Sequence, residues 1–290
     1  MSTTVQEKTR LDFEIKPLTE HTGSEVIGLD LRGEIDADTK RRLNEAVVER
    51  CCLVFRDQDF TPADYIRAVE IFGEPHQQNY SLYSLPGYPF INSISNEHPD
   101  EHGKRVYHAS YWHTDHPNRE TPPNFTSLYA VSLPDKGGET GVANMRAAYE
   151  ALPQAMKDRM DGLQTYNVRR AKAAKQGSMK RMQDDDRKFL DKEVLQPLVR
   201  THPVSGSKAI YFHQGKVEYV TGMGPEESQD FIHEILETAI KPEFVYKHAW
   251  RMGDMLIWDN RSAMHKAFPN FDLNQRRELY RIIAGQDRPF

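Results

Sequence analysis

The chain has 290 residues, 38% hydrophobic and 28% charged, enough for one large domain or two small ones with a substantial buried core. Lysine and arginine number 38 against 43 aspartate and glutamate, a net charge of −5, so nothing marks nucleic acid or an anionic membrane as a partner. The opening MSTTVQEKTRLDF lacks the apolar core of a signal peptide, and no run approaches the roughly 18 apolar residues of a membrane span, so a soluble, cytoplasmic protein is expected.

FEIKPLTEHTGSEVIGLDL, from Phe13, alternates apolar and polar residues around a glycine-containing turn and predicts two short strands. Asp38 as a cap, with Leu43, Ala46 and Val47 at helical spacing, predicts a helix that runs into the strand CCLVFR. A disulfide between the adjacent Cys51 and Cys52 would be strained, so buried thiols in a reducing compartment are expected. Thr61 caps a second helix, with Pro62 in its first turn, Tyr65, Ile66 and Val69 on its apolar face and Gly73 as its stop. Short strands and polar loops follow from about Asn92 to Pro134, and residues 146–165 look helical. The stretch RRAKAAKQGSMKRMQDDDRK has no apolar face, and the region near 169–190 is read as a charged, lid-like insertion in a single domain, 1–290.

Beyond it, LVRTHP and AIYFHQ flank the turn VSGSK, and Pro225 to Ile240 predicts a helix with Phe231, Ile235, Leu236 and Ala239 on one face. FVYKHAW, MLIWDN and ELYRIIAG complete the strands. Many short strands without a strand–helix alternation argue for a mainly β fold with flanking helices, an antiparallel barrel or jelly roll.

YWHTDHP, from Tyr111, concentrates two imidazoles and a carboxylate. With 12 histidines in the chain, His-x-Asp is expected about once by chance. It occurs twice, and His98-Pro99-Asp100 lies in a polar loop where both groups can be hydrated. His113 and Asp115 instead follow Trp112 and lead toward the apolar FTSLYAV; two apart on a strand, they would enter one cavity. A buried unpaired carboxylate is costly, and a divalent cation removes that cost. His116 has the opposite parity and is read as lining the rim or solvated. His265, just after MLIWDN, is the candidate third ligand. Two histidines and a carboxylate leave three coordination positions open, which suits iron(II) and dioxygen, whereas a structural zinc site is closed by four ligands. Arg277 and Arg281, four apart in RRELYR, share a face on a strand or a helix; converging on a metal they would bind carboxylates bidentately, and as an exposed basic edge they would do nothing.

WHTD at 112–115, GGET at 137–140, MRAAYEALP at 145–153, VRTHPVSGSKAIYF at 199–212, WDNRSAMH at 258–265 and QRRELYR at 275–281 together resemble the taurine dioxygenase and 2,4-dichlorophenoxyacetate dioxygenase family, in order and over nearly the whole chain. The resemblance implies a double-stranded β-helix, a cupin-like jelly roll. It implies an enzyme that uses Fe(II), 2-oxoglutarate and O2, with His113, Asp115 and His265 on the iron. Thr140 and Arg277 would hold the distal carboxylate of 2-oxoglutarate, and Arg281 the sulfonate or carboxylate of a small anionic substrate. Taurine-oxidising members place a substrate-binding histidine where this chain, keeping His76 in FGEPHQQ, has Gln78, and an asparagine where it has Ala109. His76 and Gln78 are therefore candidate substrate-binding residues, and the C-terminal half is closer to the phenoxyacetate-type members. The expected reaction is hydroxylation of an aryloxyalkanoate, sulfonate or carboxylate, with C–O or C–S cleavage when the carbon bears a heteroatom. Asp115 argues against a halogenase, which leaves the carboxylate position open for chloride. Alternatives are hydroxylation, desaturation or epimerisation in biosynthesis, and, more remotely, a non-catalytic metal-binding barrel. A homo-oligomer, dimer or tetramer, is expected.

Overall fold

Side chains alternate between the two faces of a strand, so the apolar pattern of each strand states what lies on either side of it. The computed structural model describes residues 12–78, 81–100, 102–168 and 194–290; the charged stretch at 169–190 lies outside the described residues. In chain order the elements are β1 (Glu14–Pro17), β2 (Ser24–Ile27), α1 (Ala37–Arg50), β3 (Cys52–Phe55), α2 (Pro62–Glu70), β4 (Pro75–His76), β5 (Ser84–Leu85), β6 (Tyr88–Ser95), β7 (Pro123–Ser132), β8 (Thr140–Asn144), α3 (Met145–Glu150), α4 (Gln154–Met160), β9 (Gln164–Asn167), β10 (Val194–Pro197), β11 (Val199–Thr201), β12 (Lys208–Ile210), β13 (Val217–Val220), α5 (Pro225–Ala239), β14 (Val245–His248), β15 (Met255–Asp259), β16 (Ala263–Ala267) and β17 (Glu278–Gln286).

The large sheet runs β1-β2-β3-β15-β7-β17-β6-β5, with β4 also on β17, and a smaller sheet runs β14-β8-β16. Leu256 and Trp258 of β15 point between the sheets with Val54, Leu128 and Leu279, where they meet Val142, Tyr246 and Ala263 of the small sheet. Their neighbours Met255 and Ile257 turn the other way, onto Leu43 and Val47 of α1 and Tyr65 and Val69 of α2. The outer face of the small sheet, Ala143 and Met264, is covered by α3, α4 and α5 through Met145, Met156, Phe231 and Ile235. The architecture is thus the mainly β jelly roll with helices packed outside that the strand pattern predicts. No helix among the described residues is long and apolar enough to cross a membrane.

Local chemistry moves some boundaries. Asp36, not Asp38, caps α1 by accepting from the Thr39 N–H at 2.8 Å; Asp38 lies in the first turn and pairs with Arg41. The helix expected over 146–165 divides into α3 and α4 and then turns into β9. Pro153 lacks the N–H a continuous helix needs, and Gly162, at φ 69°, takes the left-handed turn into the strand. Cys51 and Cys52 are free and buried.

Candidate active site

His113 belongs to no long strand. It forms single-residue antiparallel bridges to His265 on the edge of β16 and to His213. His113 and His265 exchange both backbone hydrogen bonds, at 3.1 and 2.8 Å, which sends their side chains to the same side with ring centroids 4.0 Å apart. Asp115, two residues on, comes to 4.0 Å from the Nε2 atom of each imidazole. One ligand atom from each of the three lies within 4.8 Å of the others, and all three residues are buried.

Each of these side chains is held from behind. The Nδ1–H of His113 donates to the Tyr111 carbonyl at 2.8 Å, so the proton is on Nδ1 and Nε2 offers its lone pair. The Trp258 ring packs 4.3 Å from that of His265. Asp115 ends a directed chain: Trp258 Nε1 donates to Asn260 Oδ1 at 3.0 Å, Asn260 Nδ2 to Thr126 Oγ1 at 2.8 Å, and Thr126 Oγ1 to Asp115 Oδ2 at 2.7 Å. Burial alone would raise the Asp115 carboxyl, but the attractions around it, led by the Arg281 guanidinium, outweigh it and hold the group well below the usual carboxylate range. Burial lowers His113 and His265, so both are neutral near pH 7. Two unprotonated imidazole nitrogens and an ionised carboxylate are the donor set a divalent iron-type cation requires.

Thr140 and Arg277 meet through the GGET turn. Thr140 lies opposite Ala267 and Val142 opposite His265, so all four side chains leave the small sheet on one face. Gly137 and Gly138 have φ of 77° and 73°. A Cβ on Gly138 would stand 2.9 Å from Arg277 Nε, which donates to the Gly138 carbonyl at 2.9 Å, so only glycine lets the guanidinium lie against this turn. Burial lowers the Arg277 guanidinium to about 10, still a cation near pH 7. It lines a cavity with Tyr107, His108, Ala267, Phe268 and Phe271. Thr140 Oγ1 accepts from Trp250 Nε1 at 3.1 Å, which leaves the Thr140 proton free to point at a ligand oxygen.

At the other side of the triad, Arg281 of β17 puts Nη1 3.8 Å from Asp115 Oδ1. Gln78 is buried against Arg281 rather than presented to the centre, and His76 sits beside Ile283 on the neighbouring strand. His116, read from the sequence as lining the rim or solvated, is buried instead, at φ 51°: parity fails because the chain bends at Asp115 and His116 opens a turn, its carbonyl accepting from the Arg119 N–H, so neither residue is on a strand. The second His-x-Asp is also less hydrated than expected. His98 stacks on Tyr83, and Asp100 is a buried turn former that accepts from the Lys104 and His102 N–H groups. Arg277 and Arg281 are not an exposed basic edge; Arg277 is buried and Arg281 largely so.

The sequence reading did not single out Thr126, Asn260 and Trp250, nor two further residues near the centre. His213 lies 4.8 Å from His113, ring to ring, and accepts at Nδ1 from the Gly215 N–H. Arg119 is lowered to about 10 by burial and then by Arg281. The signal for His213 was a lone histidine closing the apolar AIYFHQ; Arg119 had none.

Residues 14–283 match the model of the family described as "Taurine catabolism dioxygenase TauD, TfdA family". The chain is 30% identical over 274 residues, 89% of this chain and 93% of the relative, to the alpha-ketoglutarate-dependent 2,4-dichlorophenoxyacetate dioxygenase of Cupriavidus pinatubonensis. It aligns with the solved structure of AAD-2 in complex with Mn(II) and N-oxalylglycine at a TM-score of 0.79 and 30% identity, over 96% of this chain and 99% of that one. For a taurine dioxygenase from Burkholderia xenovorans the values are 0.78 and 28%, over 96% and 90%.

Proposed function

The chain belongs to the TauD, TfdA family of Fe(II)- and 2-oxoglutarate-dependent dioxygenases, and on that premise we propose that it hydroxylates a small anionic organic molecule, an aryloxyalkanoate, sulfonate or carboxylate. The observation that carries the substrate class is a guanidinium, Arg281, held 3.8 Å from the carboxylate of a buried His-Asp-His cluster. Relatives whose names specify a chlorophenoxyacetate and taurine support the same class.

In this reading His113, Asp115 and His265 hold the iron. Thr140 and Arg277 hold the distal carboxylate of 2-oxoglutarate, the hydroxyl donating one hydrogen bond and the guanidinium supplying the buried positive charge. Arg281 holds the substrate's anionic group and thereby sets which carbon faces the iron. When bound, iron(II) and 2-oxoglutarate supply the activation of dioxygen, with release of succinate and carbon dioxide, that inserts oxygen into a C–H bond. The Tyr111 carbonyl keeps the His113 tautomer, and the Trp258–Asn260–Thr126 chain orients Asp115. Where the oxidised carbon carries an ether oxygen or a sulfur substituent, the product collapses with C–O or C–S cleavage.

Anaerobic addition of iron(II) and 2-oxoglutarate should give a weak visible charge-transfer band that His265→Ala abolishes. A band that survives the substitution overturns the ligand assignment. Succinate formation with sulfonates, aryloxyalkanoates and amino acids then locates the substrate; equal turnover of neutral and anionic compounds overturns the role of Arg281.

A further inference from the structure

Both ends of the Gln78 amide meet one residue. Its Oε1 accepts from Arg281 Nε at 2.6 Å, and its Nε2 donates to the Arg281 carbonyl at 2.8 Å. The chemistry fixes which end is which, because Nε can only donate and a carbonyl can only accept. Gln78 is 2% exposed, so water does not compete for these bonds.

A guanidinium presents planar donor pairs to an anion. With Nε occupied by Gln78, the pair left for a carboxylate or sulfonate is Nη1 and Nη2, and Nη1 already lies 3.8 Å from Asp115 Oδ1. The adjacent Gln77 carbonyl accepts from Arg119 Nη2 at 3.2 Å, so one dipeptide steadies two guanidiniums on the same side of the centre. A glutamate at 78 would also reach Nε, but it would neutralise Arg281 and face the Arg281 carbonyl with no donor.

We propose that Gln78 is a positioning residue for the substrate anion: it does not contact the substrate but locks Arg281 so that its Nη edge receives a carboxylate or sulfonate beside the metal centre. This rests on the reading of Arg281 as the anion-binding residue. It replaces the sequence-based expectation that Gln78 binds substrate itself.

The test uses a panel of aryloxyacetates, arylacetates and alkylsulfonates, each beside its neutral amide. Dissociation constants are read by tryptophan fluorescence on anaerobic protein loaded with iron(II) and 2-oxoglutarate, and KM and kcat by succinate formation. Arg281→Ala should weaken the best-bound anion about a hundredfold. Gln78→Ala should weaken it about tenfold, with the loss in Kd and KM rather than in kcat. Gln78→Glu, although isosteric, should be worse than Gln78→Ala. In the Arg281→Ala background, Gln78→Ala should add less than about twofold. An undiminished loss in that background means that Gln78 touches the substrate, and a Gln78→Glu variant that binds like wild type means that it only fills space; either result overturns the proposal, as does an equal loss for the neutral amides. If Arg281→Ala itself has no effect, the anion is bound elsewhere and the underlying reading falls with it, a result distinguishable from failure of Gln78 alone.

Discussion

Replacing Thr126 by valine tests whether the hydrogen-bond chain behind Asp115 governs metal binding. Thr126 is fully buried on β7, and its hydroxyl accepts from Asn260 at 2.8 Å while donating to Asp115 at 2.7 Å. Valine keeps the shape and removes both bonds. A hydrogen bond to a charged group is worth about 1.5–3 kcal/mol, and leaving Asn260 Nδ2 buried without its acceptor costs a further ~1–3 kcal/mol. Outer partners of ligating groups typically govern affinity by about 10–100-fold, so metal binding should weaken by roughly 1.4–2.7 kcal/mol. Thr22→Val is the control: Thr22 is equally buried and donates to the Phe244 carbonyl at 2.7 Å, away from the triad. Both variants should unfold at lower temperature, but only Thr126→Val should lose metal affinity in anaerobic titrations with iron(II), or with cobalt(II) followed by its visible absorption. Affinity within about twofold of wild type, or an equal loss in Thr22→Val, would refute the chain's role.

Trp250→Phe keeps the ring against His248 but removes the N–H that orients the Thr140 hydroxyl. The KM for 2-oxoglutarate should rise about threefold to tenfold, and an unchanged KM counts against that orientation. Gly138→Ala should raise the same KM and cost about 1–3 kcal/mol of stability, since φ is 73° and the new Cβ would stand 2.9 Å from Arg277 Nε; a variant as stable as wild type, with normal KM, contradicts it. His113, His116, His213, His248 and His265 are all lowered, in each case first by burial. Their unfolded values lie near 6.5, so below that pH the unfolded chain binds more protons than the folded one and stability falls as pH falls. Thermal unfolding of the metal-free protein should therefore be nearly level from about pH 7 to 8 and drop below about pH 6.5, and metal should raise the melting temperature without moving the onset of that drop. A melting temperature level down to pH 5 would contradict the buried, neutral imidazoles.

Much of this molecule is legible without coordinates because it is local. Alternation along MLIWD separates Met255 and Ile257 from Leu256 and Trp258, and the two sets do go to opposite faces of β15. The helix face of Pro225 to Ala239 and the Thr61 cap depend on residues within a turn or two of each other. The His113–Asp115 spacing, the GGET turn and RRELYR are likewise short, and they were enough to nominate the site. They were not enough to distinguish it: His98–Asp100 has the same spacing, and only the folded chain sets His265 against one pair and Tyr83 against the other. Thr126 reaches Asn260 because β7 pairs with β15 in a register that sets Thr126 opposite Trp258. Gln78 reaches Arg281 because β4 pairs with β17. The burial of His116 follows from a turn where strand parity does not apply. Pairing register between segments distant in sequence is settled by how their buried faces fit together, and a one-residue shift would exchange every side chain between core and solvent. The candidate ligands can therefore be nominated from short motifs, while the groups that aim and charge them are known only once the strands are placed side by side.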